Sequence, residues 1–126
     1  MNEDAFQRNV LGEKLESCSE EPLTGWFRDG CCNTSDEDHG IHTVCAKVTN
    51  KFLEWGKIVG NDLITPHPEL GFPGLKEGDQ WCVCAATYAQ SIEEGTACKI
   101  YLKRTNYKTL EIISLEKLKP YAIDLS

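Results

Sequence analysis

No stretch of this 126-residue chain is apolar over the roughly 20 residues that a membrane-crossing helix needs, so a helical membrane span is excluded. There is no internal repeat, low-complexity tract or linker, which leaves solenoids and bead-like domain arrays without support. The phosphate-binding Gly-rich loop is missing, and so are GxGxxG, GxSxG and HExxH. Nucleotide-binding, dinucleotide-binding, serine-hydrolase and zincin classes therefore have no motif to stand on. CxxC, the usual zinc-knuckle spacing, is missing as well. Basic charge is in short supply: 13 Lys and Arg face 20 Asp and Glu, for a net charge of −7 and a pI near 4.9. Such a field repels phosphate, so neither nucleic acid nor an anionic membrane surface is expected as a partner. The start, "MNEDAFQRNVLG", lacks the apolar run of a secretory signal, and a cytoplasmic protein is expected. There, seven cysteines should mostly remain thiols or bind metal, and an odd number cannot all pair.

What the chain does contain suffices for one core. Its length suits a single domain, and 40% hydrophobic residues is ordinary for a soluble globular protein, monomer or small oligomer. The domain is expected over 9–126, with 1–8 frayed. "IHTVCAKV" alternates as a strand with one buried face, which sets Cys45 opposite to His42. In "TNKFLEWGKIVG" the spacing of Val48, Phe52, Trp55 and Val59 predicts a helix, capped by Thr49 or Asn50 and stopped by Gly60. Residues 61–79 hold three prolines and three glycines and form a long loop, either functional or merely pinned by Leu63, Leu70, Phe72 and Leu75. "QWCVCAA" reads as a strand buried on both sides, followed by a helix over 86–94 and an extended "KIYLKRT". Strand, helix and strand together suit a parallel crossover. A helical turn over 105–110, an extended "EII" and a short helix capped by Ser114 complete an α/β fold of the α+β type. The expected architecture is a two-layer sandwich in which a small mixed sheet carries helices mainly on one face.

The densest chemistry lies in "RDGCCNTSDEDHGIHTVCA", where Cys31, Cys32, His39, His42 and Cys45 fall within fifteen positions. Three readings compete. As a metal module, Cys32, His42, Cys45, Cys82 and Cys84 offer thiolate and imidazole donors suited to zinc or iron. On a regular strand, however, Cys82 and Cys84 are about 6.5 Å apart at Cα, and a bend at Val83 is needed to converge them. As a thiol enzyme or redox protein, Cys31 or Cys32 is the nucleophile, His42 the base that activates it, and Asp62 the group that orients the imidazole. As an interaction domain, the cysteines are small apolar core residues, and a protein partner covers an apolar patch near Trp26, Phe27 or "GFPGL". The acidic "SDEDH" lacks the remaining ligands of a calcium loop and reads as a solvated turn.

The blocks "NVLG", "PLTGWFRDGCC", "HTVCA", "GNDLITP" and "FPGLKEGDQWCVCA", in this order and at these spacings, resemble the bacterial family known as domain of unknown function 2237. The likeness spans about residues 9–123. It implies a stand-alone α/β domain with cysteines matched here by Cys18, Cys31, Cys32, Cys45, Cys82 and Cys84, and an imidazole matched by His42. It implies no activity. Thr87 stands where an arginine is usual in that family, and Cys98 where proline is usual.

Overall fold

The computed structural model describes residues 7–125. Most of the stretch expected to fray lies outside them, but Gln7 and Arg8 are held. The Gln7 amide exchanges two hydrogen bonds with the Thr34 backbone, and Arg8 bridges Lys14.

Three strands form one sheet in the order β2-β1-β3: β1 His42–Lys47, β2 Gln80–Cys84 and β3 Lys99–Ile100. Both pairings are antiparallel. The predicted strand–helix–strand unit exists as β2, helix α2 (Ala85–Glu93) and β3, and its two strands run the same way. They do not pair, because β1 lies between them, so the ladders are antiparallel rather than mixed. The one parallel contact among the described residues is the isolated bridge from Ile100 to Ala122. β3 is also shorter than the expected extended segment. Asp124 accepts hydrogen bonds from the backbone N–H of Leu102 and Lys103, and the chain turns into a 3-10 segment over Leu102–Arg104. "EII" likewise departs from expectation: Glu111 ends a 3-10 turn that starts at Tyr107, and Ile112 is helical in φ and ψ.

The strand alternation separates two cores. Val44, Ala46, Trp81 and Val83 face the helices, packing with Phe52, Leu53 and Trp55 of α1 (Asn50–Ile58) and with Tyr88 of α2. Thr49 caps α1 through a 3.2 Å bond from the Phe52 N–H to its hydroxyl. Cys45 and Cys82 face the other way, where they meet Cys18 and Cys32. This second face is covered by the N-terminal segment, which has bridges and turns in place of regular elements. The short α3 (Leu115–Leu118) is capped by Ser114, as its position in the sequence suggests.

One irregularity in β1 sets up the site. His42 pairs with Cys84 and Val44 with Val83, so Thr43 is an extra residue in the ladder. The bulge corrects the simple alternation: residues paired across a sheet share a face, so His42 lies with Cys84 on the side that also carries Cys45 and Cys82.

Candidate functional site

Four of the seven cysteines are joined, Cys18 to Cys45 and Cys32 to Cys82. This replaces the expectation that the thiols stay unpaired. That expectation rested on compartment and on the odd count, and an odd count is compatible with two bridges and three free thiols, here Cys31, Cys84 and Cys98. Among the described residues, Cys18, Cys32 and Cys82 are the group of potential metal donors whose ligand atoms lie mutually within 4.8 Å. The five expected ligands do not converge on one point. Cys32, Cys45 and Cys82 belong to the buried sulfur cluster, whereas His42 and Cys84 line a neighbouring cleft that Cys82 also borders.

That cleft, about 270 Å³, is walled by Trp26, Leu63, Phe72 and Trp81, with His42, Asp62 and Cys84 among its polar groups. The His42 ring is fixed from three directions. Its Nδ1 lies 2.7 Å from Asp38 Oδ1, and its plane is tilted only 10° from Trp26 at 6.3 Å between centroids. Gly40 provides the third constraint, since a Cβ there would come within 2.6 Å of His42 Cε1. The Asp38 side chain is fully buried, not part of a solvated turn. Its Oδ2 accepts from the His42 backbone N–H and from the Thr34 hydroxyl. Burial pushes the Asp38 carboxyl up, but these bonds and the attraction to His42 outweigh it and hold the carboxyl below its ordinary range. An ionised carboxylate only accepts, so Nδ1 of His42 carries the proton and donates it. In the neutral ring Nε2 is then the basic nitrogen.

Cys84 is the cross-strand partner of His42 and retains a free, half-exposed thiol. It is also the N-cap residue of α2. The Ala85 N–H is taken by the Ile41 carbonyl, and the Ala86 and Thr87 N–H groups, in the first turn, have no acceptor within the helix.

The other residues singled out in the sequence stand elsewhere. Cys32 is wholly buried within its disulfide. Cys31 is free, but burial, reinforced by Asp29 and Glu20, raises its thiol above the ordinary range despite a hydrogen bond with Ser17. It does not line the cleft. Asp62 does, yet its carboxylate is occupied by the Thr65 hydroxyl and the backbone N–H groups of Thr65 and Ile64, which bring it down to about 2. It organises the entrance of the long loop, and the orienting partner of His42 is Asp38. Cys98 is packed in the core, where burial pushes its thiol up to about 12.

The sequence reading places Asp38 in a solvated turn. The only available signal is its spacing of four residues ahead of His42 with Gly40 between them, and nothing in "SDEDH" distinguishes the buried carboxylate from its solvated neighbours.

The family model described as an uncharacterized protein conserved in bacteria (DUF2237) matches residues 8–122. The chain belongs to that family. Membership assigns it no activity. A search of curated proteins finds no match.

Proposed function

We propose that this member of the DUF2237 family is a thiol-dependent enzyme in which Cys84 is the nucleophile, His42 its general base and Asp38 the residue that positions the imidazole. One observation carries the reading: a histidine oriented by a buried carboxylate shares a cleft with the free thiol opposite it in the sheet register. Nucleophile, base and orienting group in that order are what covalent catalysis requires. The chemistry best suited to the set is acyl transfer. Cys84 Sγ bonds to a carbonyl carbon, the thiol proton passes to His42 Nε2, and the first-turn N–H groups of α2 receive the developing oxyanion. As the carbon–heteroatom bond breaks, the leaving group departs and the acyl group stays on sulfur until water removes it. Aromatic walls from Trp26, Phe72 and Trp81 favour an acyl compound with a flat apolar portion.

Among the described residues no helix is long and apolar enough to cross a membrane. The net charge of −7 goes with a protein that acts on small molecules and not on nucleic acid.

p-Nitrophenyl acetate tests the assignment. The expected result is a stoichiometric burst of nitrophenolate with the acetyl group mapped by mass to Cys84, lost in Cys84→Ser and unchanged in Cys31→Ser. Asp38→Asn should slow acylation by about 100-fold, the lower range for a positioned base. A burst that persists in Cys84→Ser, or no acylation at all in the wild type, would overturn the reading.

A further inference from the structure

We propose that the buried cluster of Cys18, Cys32, Cys45 and Cys82 is, when reduced, a tetrathiolate site for Zn²⁺, so that the paired disulfides and the metal-bound form are alternative states of one site. The proposal does not rest on the role given to Cys84.

Its basis is the way the two bridges meet. Cys45 and Cys82 are direct partners across β1 and β2, which sets one cysteine of each bridge side by side on the same face. The sulfurs of Cys18, Cys32 and Cys82 lie mutually within 4.8 Å, and Cys45 is joined to Cys18. Zinc binds thiolates at about 2.3 Å, so four ligands on a tetrahedron are about 3.8 Å apart. The Cys18 sulfur is thus within 4.8 Å of both sulfurs of the other bridge, whereas the Cys45 sulfur lies farther from at least one of them and must approach as its bond to Cys18 opens. Two ligands sit on strands and two on the covering segment, which gives the sulfurs four independent backbone supports.

The surroundings fit a tetrathiolate as well. All four cysteines are at most 3% exposed, and the partly buried hydrophobic residue packed on them is Tyr101. A zinc ion with four thiolates carries two net negative charges, which need a nearby cation. Arg104 provides one: its guanidinium lies 4.2 Å from the Tyr101 ring centroid, and the residue lines the same surface depression as Cys18. Cys84 and His42, in the cleft, are not required.

The change of state balances with a dithiol reductant, the class that keeps cytoplasmic thiols reduced. Each bridge accepts two electrons and two protons from a dithiol, which leaves as its own disulfide. Four thiols result. Zn²⁺ then displaces their protons to water as the four Zn–S bonds form.

The test uses the full chain reduced with a dithiol, freed of reductant under anaerobic conditions and titrated with Co²⁺ and then Zn²⁺ alone. The expected result is one Co²⁺ per chain with sulfur-to-cobalt charge transfer of a tetrahedral thiolate site, displaced by Zn²⁺. Alkylation of the zinc form, mapped by mass, should spare Cys18, Cys32, Cys45 and Cys82 and still label Cys84. Cys18→Ser should lose the cobalt signature and Cys84→Ser should keep it. No cobalt uptake by the reduced wild type, or protection of Cys84 in place of Cys18 and Cys45, would overturn the proposal. The wild-type protection map decides the matter even if Cys18→Ser does not fold. Failure of the nitrophenyl acetate burst bears only on Cys84 and leaves this site untouched.

Discussion

Asp38 keeps its carboxylate fully buried because three donors compensate its removal from water: the His42 ring, the His42 backbone and the Thr34 hydroxyl. The sign of its contribution to stability follows. Its folded value lies below the ordinary one, so the folded state binds the proton more weakly than the unfolded chain does. The stabilisation is complete above about pH 4, the unfolded range of aspartate, and is lost as the pH falls through the folded value. Thermal melts between pH 2 and 6 should therefore show an acid-side loss of stability that is smaller in Asp38→Asn. At neutral pH the substitution should cost about 1.5–3 kcal/mol, the worth of hydrogen bonds to a charged group. Equal slopes in the two proteins would show that the acid transition belongs to other carboxylates. At this scale the sequence was only partly legible. The residue types that line the cleft stand out by their chemistry, as His42 and Cys84 do. Their partners are not visible, because whether Asp38 or Asp62 reaches an imidazole depends on a turn at Gly40 and a bulge at Thr43. Neither leaves a periodic trace.

At the scale of elements, legibility follows the strength of the local signal. In α1 an apolar spacing of three and four residues coincides with a cap and a stop, and Thr49 takes the capping position. Replacing it with alanine should cost about 1 kcal/mol, read as a shift of the urea midpoint without a change in slope, since only one N–H loses its acceptor. An unchanged midpoint would mean that water or another side chain replaces the hydroxyl. β3 shows the opposite case. "KIYLKRT" alternates well enough for a long strand, yet two of its backbone N–H groups bond to Asp124, which is more than twenty residues further along the chain. A distant carboxylate ends the ladder, and no local pattern announces it. The second half of the sheet relation was hidden for a similar reason. A strand–helix–strand pattern shows that β2 and β3 run the same way but does not reveal that β1 lies between them.

At the scale of the molecule, the sheet is held from both sides by different means. On one side, helices bury Phe52, Trp55 and Tyr88 against it. On the other, a segment with little regular structure is fastened through sulfur. Reduction in the presence of a chelator should lower stability by about 2–4 kcal/mol per bridge, with the larger share from the pair that closes the longer loop. The separations are 27 residues for Cys18 and Cys45 and 50 for Cys32 and Cys82. Differential scanning calorimetry with and without dithiol checks this, and an unchanged melting temperature would mean that apolar packing alone holds the segment.

The order of those four positions along the chain has a topological consequence. The bridges interleave, since Cys32 falls inside the loop closed by Cys18 and Cys45 while Cys82 falls outside it. Every peptide bond between Cys18 and Cys82 is therefore spanned by at least one bridge. A single break of the backbone anywhere in that interval leaves one covalent molecule, its two pieces still tied together at the sheet. In the oxidised state the continuity of this half of the protein is carried twice, once by the main chain and once by sulfur.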